Sequence, residues 1–196
     1  MSLFDATRDL HHACEAHPVG AVMASGKPPR AWYAAWLAGL AVLHRVIDPT
    51  LPPVLHRVDR LEDDLAELDW QPVPIYPAEI YAASLTTGPA LAGTAYVLTG
   101  AHLMGGEVMR RRLEGYPTRH LLWDDRPAAV AELREMRARE DIIDPARECF
   151  AGLLALMDWI ETYIDTGMIR PEEREDETCP KPTAPPGSHS AGGVID

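Results

Sequence analysis

Cysteine is scarce in this chain of 196 residues, which holds only Cys14, Cys149 and Cys179. Three well-separated thiols without C-x-x-C spacing exclude a disulfide framework and a zinc knot. Two of them are expected to act as small buried apolar groups. Positive charge is also short: 18 Lys and Arg face 30 Asp and Glu, a formal net charge of -12. The phosphate neutralisation behind non-specific nucleic-acid binding is therefore missing. An anionic small molecule can be held only where a local group of arginines outweighs the overall field. No run approaches the roughly 18 apolar residues of a membrane span. The opening Met1-Ser2-Leu3-Phe4-Asp5 has neither the basic nor the apolar region of a secretory signal, so a cytoplasmic location is expected. Alternating β-branched runs and internal repeats are absent too.

What remains is ordinary globular material, 46% hydrophobic and 24% charged, enough to bury one real core. Tyr33, Trp36, Leu37, Leu40, Leu43 and Ile47 recur at three and four residues, as on a core-facing helix. Leu55, Val58, Leu61, Leu65 and Leu68 repeat the stripe, with Asp59, Glu62, Asp63 and Glu67 on the wet side. Pro28-Pro29 opens the first of these segments and Asp48-Pro49 closes it. Residues 71–77 read as a rigid connector, and further helices are expected over about 89–113, 127–140 and 145–163. From Arg170 a charge block gives way to Pro, Gly and Ser, which cannot bury apolar area. The expectation is one all-α domain of about six or seven helices over 1–167, followed by a disordered acidic, Pro/Gly-rich tail over 168–196.

Two segments carry chemistry. In the first, Leu3, Ala6, Leu10, Ala13 and Cys14 form the apolar arc of a helix, with His11 at its edge beside Phe4, Thr7, Arg8 and Glu15. An imidazole at the core margin with a carboxylate at i+4 suits a metal ligand whose other nitrogen is oriented. Arg8 at i−3 suits an acid group on a ligand. Arg8, His11 and Glu15 equally suit an ordinary helix surface. His44, His56 and His120 read as partly buried hydrogen-bonding residues. The second segment, residues 93–112, reads as helix yet carries Gly100, Gly105 and Gly106. Each interior glycine costs roughly 0.5–1 kcal/mol relative to alanine. Tight helix packing, a break between two short helices, or a flat ligand lying against bare backbone would each account for them.

Together these segments resemble the heme oxygenase family, in its bacterial, biliverdin-forming branch. Ala6, Thr7, His11 and Glu15 match the order and spacing of the family's proximal helix, and Tyr96, Val97, Gly100, Leu103 and Gly105 match its glycine-rich distal helix. Arg57, Leu61, Asp64 and Leu65, and the closing helix with Cys149, Phe150 and Trp159, are similar as well. The resemblance implies a heme oxygenase-like helical bundle in which heme is cofactor and substrate, cleaved to biliverdin, carbon monoxide and iron. Electrons would come from a reductase or ferredoxin, and a phytochrome is one acceptor for biliverdin. It makes His11 the axial ligand and Glu15 its partner. Gly100, Ala101 and Gly105 become the catalytic stretch of the distal helix. Tyr96, His102, Met104, Gly106 and Phe150 line the pocket. Arg8 would meet a propionate, with Arg126, Arg134 and Arg137 as further candidates and Arg134 taken as the partner. Arg110, Arg111 and Arg112 fit either the end of the helix dipole or a docking surface for an acidic electron donor.

This chain departs from the family pattern at three places. Ala101 stands where the family carries serine, or aspartate in its animal branch. Met104 takes the place of the first glycine of the distal pair, either through a one-residue bulge or by projecting towards the pocket. His102 introduces a second imidazole nearby. A non-catalytic heme-binding or sensing module of the same fold is the alternative, and thiaminase-like and quinone-cofactor oxidases show that the fold also serves other substrates.

Overall fold

A computed structural model describes residues 2–165, with side chains through residue 162. Eight α-helices follow one another: α1 (Leu3–Ala16), α2 (Pro18–Ser25), α3 (Arg30–Ile47), α4 (Val58–Glu67), α5 (Tyr76–Ser84), α6 (Gly88–Arg112), α7 (Arg126–Arg137) and α8 (Ile143–Asp165). No strand occurs among the described residues, and the chain is all-α. The boundary expected after residue 167 and the tail over 168–196 lie outside the described residues. Within the described residues no helix is long and apolar enough to cross a membrane.

The apolar stripe of α3 makes it the central element, with Tyr33, Leu37, Leu40, Leu43 and Ile47 buried. It packs against α4, α5, α6 and α8. A methyl group at Gly39 would stand 2.5 Å from the Leu156 side chain, so α3 and α8 approach closely there. On the other side of α8 lies α1, tied by Arg147, which donates to the Ala6 carbonyl and to both Asp9 carboxylate oxygens at 2.9 and 3.0 Å. α6 also packs on α8. α8 thus holds α1 and α6 on a common support.

Two of the eight helices, α2 and α5, are not among the segments that periodicity marks, and both are short. α2 starts at Pro18, where the missing N–H costs nothing; the His17 Nδ1 accepts from the Val19 N–H at 3.2 Å. α5 starts inside the proline-rich connector, with Pro77 in its first turn. The stripe from Leu55 to Leu68 is not one helix either. Leu55 closes a 3-10 turn, and α4 begins at Val58.

A buried polar seam runs between α3, α4 and the turn at 119–121. Asp48 accepts from the Arg57 and Val58 N–H groups at 2.7 and 2.8 Å, capping α4 from across the fold where the local cap residue makes no such bond. Its second oxygen lies 2.8 Å from His44 Nδ1. Asp64 accepts from the backbone of Arg119 and His120, both at 3.0 Å, and from His120 Nδ1 at 2.6 Å. His102 of α6 completes the seam, stacked on His44 at 5.6 Å and edge-on to His120 at 5.4 Å.

This seam sets an acid limit on the fold. Burial, then the neighbouring His120, His44 and Arg57, pushes the His102 imidazole well below its ordinary pKa. Burial also lowers His120, although Asp48 and Asp64 supply negative charge to the cluster and the bond to Asp64 opposes the shift on His120. The folded protein therefore binds fewer protons than the unfolded chain once pH falls below the unfolded histidine value of about 6.5. Stability is full above that pH and declines as pH falls towards the folded values, each histidine adding a slope of up to about 1.4 kcal/mol per pH unit. Urea unfolding between pH 8 and pH 5 is expected to show this decline. A flat profile would mean that the imidazoles accept protons without cost.

Candidate functional site

α1 turns Leu3, Ala6, Thr7 and Cys14 inward. The Thr7 hydroxyl donates to the Leu3 carbonyl at 2.9 Å, and the Cys14 thiol reaches the Phe150 carbonyl at 3.9 Å. His11 sits at the margin of this arc, its side chain 52% exposed. Its Nδ1 lies 3.6 Å from Glu15 Oε2, and its ring stands edge-on to Phe150 at 6.0 Å. Its Nε2 makes no hydrogen bond to the described residues. Arg8 shares the flank, pairs with Asp5 at 2.6 Å and lies over the Phe4 ring at 5.1 Å. Both ends of the Arg8–Asp5 pair are half exposed, so the pair adds little to stability and the guanidinium remains available to an anion.

α6 is continuous from Gly88 to Arg112, with neither a break nor a bulge at its glycines. At ~100° per residue Met104 lies about 40° round the helix from Gly100, whereas His102 lies about 160° away. Gly100, Ala101, Met104, Gly105 and Val108 therefore form one face. Among the described residues it is exposed, with Met104 at 68% and Val108 at 51%, and the Glu107–Arg111 ion pair lies along its edge.

The glycines of α6 fall into two groups. A methyl at Gly93 would lie 2.5 Å from the Pro145 side chain and 2.9 Å from the Ala146 nitrogen, so this glycine is there to let α8 approach. Around Gly105 nothing lies within 4 Å of such a methyl, and at Gly100 only the Leu133 side chain does, at 3.9 Å. G93A is therefore expected to destabilise by about 1–3 kcal/mol through overpacking. G105A is expected to stabilise the ligand-free protein by about 0.5–1 kcal/mol. Thermal unfolding of the two variants checks the contrast; a loss of stability in G105A would mean that chain packing, not the open face, requires the glycine.

Several expected site residues are not brought to this face. His102 is only 7% exposed and belongs to the buried seam, opening onto a separate cavity beside Trp123 and Arg126. Its reading as a distal group is corrected: the straight helix turns it inward. Gly106 is buried and meets Leu121 at an ordinary 3.5 Å, so it too faces the interior. Arg134 is exposed on α7, one residue past Leu133 and so a quarter-turn from it. Arg137, one turn beyond Leu133, lies close enough to Tyr96 to oppose the upward push that burial gives its phenol. Arg137 thus lies on the Tyr96 side of α7, one turn of α6 before Gly100, a placement that sequence spacing alone did not draw. Arg126 donates to the Leu103 carbonyl at 3.3 Å. Among the terminal arginines, Arg110 and Arg111 are paired with Glu107, and Arg112 ties α6 to the Ala24 carbonyl at 2.9 Å.

Eight helices in this order and packing form the all-α fold of the heme oxygenases. No protein-family model matches the sequence, and no curated protein matches it. Solved structures do. Heme oxygenase from Leptospira interrogans superposes with a TM-score of 0.68 at 18% identity, over 80% of this chain and 98% of that one. Heme oxygenase-1 from the cyanobacterium Synechocystis, solved in complex with heme, gives 0.72 at 17% identity, over 85% and 93% of the two chains. Heme oxygenase-2 from Synechocystis, in complex with heme and NO, gives 0.70 at 21%, over 85% and 86%.

Proposed function

We propose that this chain binds heme between the His11 flank of α1 and the glycine face of α6, and cleaves it oxidatively to biliverdin, carbon monoxide and iron. The observation that carries this reading is the pair Gly100 and Gly105. Each weakens its helix, nothing in the described chain needs the space, and the space lies on an exposed apolar face. A flat apolar ligand lying directly on the backbone explains all three. Structures with this fold have been solved with heme.

The residues present suit that group. His11 offers one imidazole, and no group of three or more His, Cys, Asp or Glu is placed to hold a metal ion among the described residues. A metal bound through His11 Nε2 must bring its other ligands, as a porphyrin does. Glu15 Oε2 stands 3.6 Å from Nδ1, one turn along the helix, so a small side-chain movement would let it accept from Nδ1–H and favour the tautomer that leaves Nε2 free to ligate. Phe150 holds the ring from the side. Arg8 and Arg137 supply positive charge for the two propionates of an otherwise acidic protein. Bound heme supplies both the iron chemistry and the carbon skeleton that is cut. The protein's part is to orient it and exclude competing reactions; Ala101 offers no hydroxyl there, so a proton at this face must arrive through water. The electron donor, a reductase or ferredoxin, and a biliverdin acceptor such as a phytochrome are part of this proposal, as is a cytoplasmic setting.

A second reading, heme binding without turnover, is favoured by one observation: Met104 projects from the face where bare backbone is expected. Titration with hemin, followed by ascorbate or a reductase system, tests both. Heme uptake with growth of a bilin band supports the oxygenase. Uptake with a stable heme spectrum supports the binding module. No uptake would overturn both.

A further inference from the structure

The side chain that this straight α6 presents beside its glycines is a thioether. One turn beyond Gly100, Met104 lies on the same side of the helix, and it is the most exposed of the large apolar residues there. No bulge in α6 moves it aside. An exposed methionine on a face otherwise made of Gly100, Ala101, Gly105 and Val108 is the bulkiest feature any flat ligand there would meet. Apart from Glu107, whose carboxylate is paired with Arg110 and Arg111, it carries the side-chain lone pair on that face, on a soft sulfur. Gly100, Gly105, Ala101 and Val108 offer no donor atom beyond the backbone, and His102 is committed to the buried seam. Thioether sulfur is a well-behaved axial ligand to heme iron opposite an imidazole. Methionine has three rotatable bonds with which to reach it.

We infer that Met104 Sγ takes the iron position opposite His11 in the heme-bound protein, forming a sulfur latch that any small exogenous ligand must displace. This rests on heme binding as proposed above. The bond that forms is a dative one from a sulfur lone pair, with no change in electron count, and it breaks whenever another ligand competes. The latch sets two properties of the site. It shields the iron in the resting state, and it favours ferrous over ferric iron, since a thioether raises the reduction potential relative to an open or water-filled position. Ala101 fits the same picture, because a face closed by sulfur has less use for a hydroxyl that would hold water.

Met104 is largely exposed and is not among the residues packed on the core, so M104L is expected to fold normally while keeping the apolar shape and removing the sulfur. The test compares the wild-type chain with M104L after loading with hemin, read by optical and electron paramagnetic resonance spectra, reduction potential and affinity for added imidazole. The wild type should be low-spin and show the charge-transfer band of sulfur-ligated ferric heme. M104L should become high-spin, lose that band and shift to a lower potential. If the latch leaves about one molecule in ten open, M104L should bind imidazole about tenfold more tightly, because apparent affinity scales with the open fraction. Heme uptake with a high-spin wild-type spectrum, or a low-spin spectrum that survives M104L, would overturn the latch and leave heme binding intact. Failure of the wild type to take up hemin would overturn both.

Discussion

Removing the Asp64 side chain with D64A is expected to destabilise the protein by roughly 3–5 kcal/mol, because it leaves a buried imidazole and two backbone donors unpaired at once. Asp64 is fully buried on α4 and carries bonds from the Arg119 and His120 N–H groups and from His120 Nδ1. Burial alone would raise its pKa, but these donors hold the carboxylate below its ordinary value. The native state thus depends on the charged form. Its contribution is present above the unfolded value of about 3.8 and fades as pH falls below it. D64N keeps the shape but turns amide hydrogens towards donors, so it recovers only part of the loss. Urea midpoints of wild type, D64A and D64N at pH 8 provide the measurement, and a loss below about 1 kcal/mol for D64A would mean that the seam is braced from elsewhere.

The seam also marks where sequence reading runs out. Asp64 stands three residues after Leu61 and four before Leu68, on the apolar side of α4, but the donors that make a buried carboxylate tolerable come from a turn at 119–121 that local pattern does not place. His102 sits among glycines on an apolar helix, and only the continuous register of α6 reveals that it faces His44 and His120. Long-range partners of polar residues leave no periodic trace. The long helices do: α3, α6, α7 and α8 lie close to where spacing and proline punctuation put them, since each buries a continuous stripe. α2 and α5 escaped because eight or nine residues hold too few repeats to show a period, and their prolines read as breakers when they are first-turn residues.

At the candidate site, legibility followed exposure. His11 with Glu15 at i+4, and Gly100 with Gly105, stand out in sequence because each breaks a local rule without a local reason. The structure separates glycines that the sequence could not: Gly93 lets α8 approach, Gly106 faces the buried side where a methyl would meet Leu121 at an ordinary 3.5 Å, and Gly100 and Gly105 border open space. It likewise distinguishes Arg137 from Arg134, a matter of rotation about α7 that the spacing of charges leaves undetermined.

Exchanging His11 for alanine is expected to weaken heme binding by roughly a hundredfold, the equivalent of about 3 kcal/mol at about 1.4 kcal/mol per tenfold step. The fold should scarcely notice. The His11 ring is half exposed, its approach to Glu15 at 3.6 Å is a weak surface pair, and its remaining contacts are the edges of Phe150 and His12. Substitutions of that kind fall within about 0.5 kcal/mol. A large loss of affinity without loss of stability is therefore the signature of a ligand bond. Free imidazole added to H11A should fill the vacated space beside Phe150 and restore the wild-type spectrum, which a merely packing role would not allow. His12 provides the control. It lies ~100° round α1 from His11, and the Phe150 contact and the Glu15 pair are made by His11, so H12A should leave heme affinity within about twofold, a few tenths of a kcal/mol. Hemin titrations of the three proteins decide the matter. Heme loss in H12A with H11A unaffected would move the ligand to the neighbouring ring and rotate the whole site about α1. Equal binding by all three would remove the imidazole from the iron altogether and leave the glycine face without its opposite wall.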